Sequence, residues 1–196
     1  MPSIVGEAIN MFGTEEQKMK YMPDLCSGKH LGAFGLTEPN AGSDAGGTET
    51  TAVEDGNEWV INGSKIYCTN GSVAGTIVCT AVTDKEAGSH GISSFIVEAD
   101  NPGFRVGKKE KKLGIRASDT VMVHFEDCRV PKDAILGTPG EGFKQFLVTL
   151  DGGRISIGAM ALGIAQGAME RAVQYSQERV QFGKPIAAFQ AIQHKL

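Results

Sequence analysis

The chain predicts an α+β fold in which a β-domain lies between two helical regions, and three observations carry this. Thr14 and Gln17 have capping-box spacing, which opens a helix at Glu15. Residues 31–137 read as short strands with turn signals between them; Val121, Val123 and Phe125 alternate with Met122 and His124, as in a half-buried strand. From about Gly142 the period becomes helical, with Phe143, Phe146, Leu147 and Leu150 recurring at three- and four-residue spacing.

Residues 1–30 are helical on this reading. Pro23 is expected to interrupt the second helix and Gly28 to stop it. In the β region, Trp59-Val60-Ile61 and Lys65-Ile66-Tyr67 flank Asn62-Gly63, which signals a hairpin turn. Further strands are expected at 76–83, 92–98 and 104–107. Short strands at this spacing suggest a small antiparallel barrel or sandwich. In the last region, Gly152-Gly153 should weaken the helix by roughly 1 kcal/mol per glycine relative to alanine. Gly158, Ala161, Leu162, Ala165, Ala168 and Met169 then form a small-residue stripe that admits a close helix neighbour. A stop falls near Gly183-Lys184-Pro185, and a last helix begins near Ala187. The chain thus divides into residues 1–30, 31–137 and 138–196.

Composition bounds the function. The 196 residues are 41% hydrophobic and 21% charged, with a net charge of −4. No global field favours nucleic acid or an anionic membrane. The one basic run, Lys108-Lys109-Glu110-Lys111-Lys112, reads as a solvated loop. Cys26, Cys68, Cys79 and Cys128 form no CxxC pair, which argues against a zinc site and a disulfide framework and suggests a reducing compartment. Met1-Pro2-Ser3 opens no signal peptide, and no apolar run is long enough to span a bilayer. Asn62-Gly63-Ser64 and Asn70-Gly71-Ser72 fit the glycosylation pattern but read as turn chemistry. His30, His90, His124 and His194 are scattered, and no metal site is expected. A Rossmann site is not expected, since Gly140-Glu141-Gly142 lacks the third glycine, and neither a Walker loop nor a GxSxG elbow is present.

Four motifs remain, in chain order: Phe34-Gly35-Leu36-Thr37-Glu38-Pro39-Asn40-Ala41-Gly42-Ser43-Asp44, Tyr67-Cys68-Thr69-Asn70-Gly71, Leu150-Asp151-Gly152-Gly153-Arg154 and Arg179-Val180-Gln181-Phe182-Gly183-Lys184. The first runs a short apolar strand into a loop of small polar residues that offers backbone N–H groups and hydroxyls to a polar ligand. Together they closely resemble the acyl-CoA dehydrogenases, above all the short-chain, butyryl-CoA type, over nearly the whole chain. The resemblance implies the end of an N-terminal helical domain (1–30), an antiparallel β-barrel or sandwich middle domain (31–137) and the start of a C-terminal helical bundle (138–196). Family members are longer at both ends, so the chain is expected to be a fragment or a short reading frame.

Removing hydrogens from Cα and Cβ of an acyl thioester needs a base for the α-proton, a hydride acceptor facing Cβ, and donors that polarise the carbonyl. The resemblance implies FAD as the acceptor. It assigns Phe34, Leu36, Thr37, Gly42 and Ser43 to the isoalloxazine edge, and Tyr67, Cys68 and Thr69 to the face opposite the substrate. Many members have Trp where this chain has Tyr67; a phenol still offers a flat stacking surface. Ser43, Asp151 and Arg154 match substrate contacts, and an arginine suits the phosphates of coenzyme A. Arg179, Phe182 and Gln190 match residues that reach the FAD of a neighbouring subunit. The α-proton base is missing. Some relatives carry it directly before the arginine, where this chain has Gly153; others carry a glutamate in the C-terminal region. Glu170 and Glu178 lie too far along the helix to replace it. Butyryl-CoA oxidation by these residues alone is therefore not expected. The resemblance further implies an acyl-CoA substrate, an electron-transfer flavoprotein partner and a homotetramer (a dimer of dimers) at full length, with no nucleic-acid or membrane partner. It places the protein in the bacterial cytoplasm or mitochondrial matrix, not outside the cell. The competing reading is a truncated, non-catalytic paralogue that binds flavin or acyl-CoA, or serves as an interaction module.

Overall fold

The structure, a computed structural model, describes residues 4–196. Met1-Pro2-Ser3, read above for the absence of a signal peptide, lies outside them. The chain forms two compact units that divide between Leu150 and Asp151.

In the first unit, helix α1 (Ile4–Phe12) leads into α2 (Glu15–Ser27). Thr14 caps α2 as its spacing predicts: its hydroxyl accepts from the Gln17 N–H at 3.2 Å, and the Gln17 side chain accepts from the Thr14 N–H at 3.0 Å. Gly28 ends the helix in the left-handed region, at φ 75°. Pro23 does not interrupt α2, contrary to expectation. The carbonyl one turn earlier, to which Pro23 has no N–H to donate, is that of Met19, a residue 74% exposed.

Eight strands form one sheet: β1 (Leu31–Gly35), β2 (Thr51–Asp55), β3 (Glu58–Thr69), β4 (Ala74–Val82), β5 (Ile92–Glu98), β6 (Phe104–Lys109), β7 (Thr120–Pro131) and β8 (Ile135–Leu136). Their order is β6-β7-β3-β2-β4-β5-β8, with β1 branching off against β4. Antiparallel pairs predominate, as expected, but β1 and β2 each run parallel to β4, which makes the sheet mixed.

The Asn62-Gly63 hairpin is not formed. Both residues lie inside β3, a continuous strand of 12 residues. The turn sits instead at Gly56-Asn57, where Asp55 pairs with Glu58 and Gly56 takes φ 63°, as a II′ turn asks of its first central residue. Asn62 and Gly63 make a bulge against β7. The Asn62 amide exchanges hydrogen bonds with Asp127, accepting from its N–H at 2.8 Å and donating to its carboxylate at 3.2 Å. Gly63, at φ 150°, passes so close to Thr50 that a Cβ would collide with it. The dipeptide has turn chemistry and uses it to bend a strand.

Two clusters form the core of this unit. One, inside the sheet, includes Ile61, Ile77, Phe95, Val97, Val123 and Phe125. The other seats α1 through Val5, Ala8 and Ile9 against Val78, Ile96 and Leu136 of the sheet and Phe146 of the helix that follows it.

Helix α3 (Gly142–Glu178) runs for 37 residues and passes unbroken through Gly152-Gly153, so the local weakness expected there does not end it. By length and composition alone it is also long and apolar enough to cross a membrane, with a mean hydropathy of 1.3 over its best 18-residue window. The reading that no apolar run is long enough is corrected on this point: glycine and alanine between the larger residues hid the length of the stretch. The second unit holds α3 from Asp151 onward, a small hairpin of β9 (Val180–Gln181) and β10 (Lys184–Pro185) turning through Phe182-Gly183, and the short α4 (Gln190–Gln193).

Candidate functional site

Strand β1 delivers the first motif to a tight loop. Glu38 and Ala41 close it by exchanging backbone hydrogen bonds of 2.9 and 3.2 Å. Strand β3 delivers the second motif beside it. The Ile66 N–H donates to the Thr37 carbonyl at 2.8 Å, and the Cys68 thiol lies 3.6 Å from the Phe34 carbonyl. Two segments far apart in the chain therefore share one edge of the first unit.

Backbone irregularity shapes the second segment. The β3–β7 register slips between Lys65 and Cys68, and Tyr67 sits at φ 55°. A bulky residue in the left-handed region is strained, at a cost of order 1–3 kcal/mol. The bulge frees its phenol, which is 63% exposed. Asn70, at φ 64°, turns the chain and donates from its amide to the Gly32 carbonyl of β1 at 3.2 Å. Asp119 fixes the far side by accepting from the Ser72 N–H at 3.1 Å and its hydroxyl at 2.8 Å, with the Lys109 ammonium 3.2 Å from the other carboxylate oxygen. Burial alone would raise the Asp119 pKa; the Ser72 donors and Lys109 outweigh it and hold the carboxyl below its ordinary value.

The edge residues play unequal parts. Phe34 stacks on Phe146, ring centroids 4.0 Å apart, so its ring is committed to packing. The Cys68 thiol is fully buried, and burial pushes its pKa up to about 11, so it is inert. Leu36 and Thr37 are half-buried, and Ser43 and Thr69 are exposed. Gly42 opens on free space: a Cβ there would meet nothing within 4 Å. An exposed aromatic ring, two exposed hydroxyls and a loop with an uncrowded backbone fit a flat, polar-edged heterocycle such as a flavin.

The remaining assigned residues lie in the second unit. The Arg154 guanidinium is 3.5 Å from the Asp151 carboxylate, with both side chains 78% exposed. Such a pair stabilises by a few tenths of a kcal/mol at most, leaving both groups available for a ligand. Gly153, between them, offers no side chain. Arg179 ends α3 by donating its N–H to the Tyr175 carbonyl, and its own carbonyl receives the Ile186 N–H at 2.9 Å. Phe182 occupies the left-handed region at φ 53° and is 91% exposed, with its ring edge-on to Phe189. Gln190 opens α4.

One constellation escaped the sequence reading. Lys65 and Glu38 form a buried ion pair of 2.6 Å beneath the first loop, with side chains 0% and 2% exposed. Both residues stand beside the motifs, Glu38 inside the first and Lys65 two positions before Tyr67. A lysine at an inward position of an apolar strand was the available signal. Burial alone would raise the Glu38 pKa; the Lys65 ammonium and the Thr50 and Glu49 N–H groups outweigh it and hold the carboxyl below its ordinary value.

A helical entry, a mixed β-sheet and a long helix, with the motifs held in this order, define the class. The chain matches the N-terminal domain of acyl-CoA dehydrogenases over residues 1–29, the middle domain over 33–128 and the C-terminal domain over 140–196, and it belongs to that family. Among individual relatives, it is 54% identical over 195 residues to the probable acyl-CoA dehydrogenase YngJ of Bacillus subtilis (strain 168), covering 99% of this chain and 51% of that one. The structure of butyryl-CoA dehydrogenase from Megasphaera elsdenii superposes with a TM-score of 0.92 at 51% identity, over 98% of this chain and 51% of that one. A chain in a structure described as the electron transferring flavoprotein of Acidaminococcus fermentans also superposes with a TM-score of 0.92, at 57% identity over 96% of this chain and 50% of that one. The chain thus spans about half the length of the relatives it matches.

Proposed function

We propose that this chain supplies the flavin cradle of an FAD-dependent short-chain acyl-CoA dehydrogenase, which converts an acyl-CoA thioester to its trans-2-enoyl form. The observation that carries the reading is the hydrogen-bonded juxtaposition of Phe34–Ser43 with Tyr67–Thr69 on one edge of the first unit. The backbone of Phe34–Leu36, with Thr37 and Gly42, would hold the flavin edge. Tyr67 would cover one face of the ring, and the Thr69 hydroxyl would bond its rim. When bound, FAD would accept the hydride from Cβ.

The chain's own residues orient the substrate. Ser43 and Asp151 offer polar contacts to the acyl-CoA, and Arg154 suits a phosphate or carbonyl oxygen. None of these removes the α-proton: Gly153 occupies the helix position where a base would stand. In the family dimer, Arg179, Phe182 and Gln190 would complete the FAD site of a neighbouring subunit. The relative from Acidaminococcus fermentans favours an electron-transfer flavoprotein as the electron acceptor. Structural likeness to butyryl-CoA dehydrogenase favours a short acyl chain.

Anaerobic addition of butyryl-CoA to the flavin-loaded protein tests the reading. A shift of the visible flavin band without bleaching supports it, since the substrate binds beside the flavin but no base removes the α-proton; a flavin band left unmoved by every short acyl-CoA contradicts it. The 196 residues alone, given excess FAD, are expected to leave butyryl-CoA unoxidised, and turnover by them would reveal a base elsewhere in the chain.

A further inference from the structure

We propose that Lys65 and Glu38 are positioning residues for the flavin-edge loop, fixing Leu36–Ser43 against β3 and β4. This inference rests on the flavin reading above. Lys65 donates to three oxygens: Glu38 Oε1 at 2.6 Å, Thr80 Oγ1 on β4 at 2.9 Å and the Leu36 carbonyl at 3.3 Å. That uses every proton of an ammonium group. Glu38 accepts from the Glu49 N–H at 2.6 Å and from the Thr50 N–H at 3.1 and 3.2 Å. The pair therefore clasps the loop at both ends, at Leu36 where it leaves β1 and at Glu49–Thr50 where the chain enters β2. Gly35 makes room for this arrangement: a Cβ there would stand 3.1 Å from Lys65 Cγ.

Stability alone does not call for such a pair. Desolvating two charges costs about as much as their attraction returns, and well-packed apolar replacements are often neutral or stabilising. What an apolar pair cannot do is tie the Leu36 carbonyl and the Thr50 N–H to one point. The loop whose backbone is to meet the flavin edge is thereby held from beneath, with no side chain from the pair at the surface.

The test uses the holoprotein with Lys65→Met and Glu38→Gln combined, which keeps an acceptor for the Glu49 and Thr50 N–H groups and removes both charges. The melting temperature should stay within a few degrees of the parent. FAD affinity should fall on the order of 10–100-fold, since small misplacements are costly in preorganised sites, and the flavin absorption band should change shape. An unchanged dissociation constant with an unchanged band would overturn the proposal. Thr80→Val removes one of the three Lys65 partners and keeps the ion pair. It should weaken FAD a few-fold and settles the question should the double variant not fold; wild-type affinity and spectrum in it would likewise contradict the proposal. A parent protein that takes up no flavin overturns the underlying flavin reading instead, and that arm is read separately.

Discussion

The two units of the chain are built on opposite economies. The first encloses its large apolar side chains: Phe95, Phe125, Phe146, Ile61 and Ile77 are at most 2% exposed. It even buries a lysine and a glutamate against each other. The second leaves Ile155, Leu162, Ile164 and Phe182 between 56% and 91% exposed. A unit with its own core can hold a loop to a fraction of an ångström. A helix with open apolar residues on most sides gains its tertiary stability from whatever packs on it. The rigid parts of the proposed flavin edge accordingly lie in the first unit, and the second offers exposed contact residues.

The largest expected effects separate the units. Phe95→Ala should cost about 3–5 kcal/mol by denaturant unfolding, whereas Leu162→Ala should stay within about 0.5 kcal/mol; equal losses would break the contrast. Lys65→Met alone, which leaves Glu38 buried without its partner, should also cost about 3–5 kcal/mol at neutral pH. The pH dependence sharpens this. Because the folded Glu38 pKa lies below its unfolded value of roughly 4.3, its contribution is fully present above that value and is lost as pH falls through the folded one. The stability gap between parent and Lys65→Met should therefore narrow in acid. Next comes the helix cap: Thr14→Ala should cost about 1 kcal/mol, read as a drop in melting temperature. The smallest perturbation is chemical. Burial pushes Cys79 up to about 12 and Cys128 up to about 11, so with Cys68 they should resist a thiol reagent in the native protein, while exposed Cys26 reacts; four thiols should react after denaturation.

Local rules were legible wherever local chemistry decides. Thr14 with Gln17 opened α2 and Gly28 closed it, and the strand expected at 92–98 is β5. The failures came where tertiary context overrides local chemistry. Asn62-Gly63 has the composition of a turn, but the approach of Thr50 and the Asp127 amide give it a bulge to build instead. Pro23 costs α2 one hydrogen bond, to the carbonyl of exposed Met19, and the helix runs through it. The site motifs were readable because their order along the chain is distinctive. The Lys65–Glu38 clasp was not, because its partners meet only after β1, β3 and β4 are assembled, and no periodicity encodes that meeting.

The most direct test of the central claim is a comparison of FAD binding by the holoprotein and by its Tyr67→Ala variant. Tyr67 is exposed and packs no core, so the variant should fold and melt like the parent. Losing the stacking platform should weaken FAD about tenfold and alter the flavin absorption band. Unchanged affinity and spectrum would show that the Tyr67–Thr69 edge is not where the flavin lies.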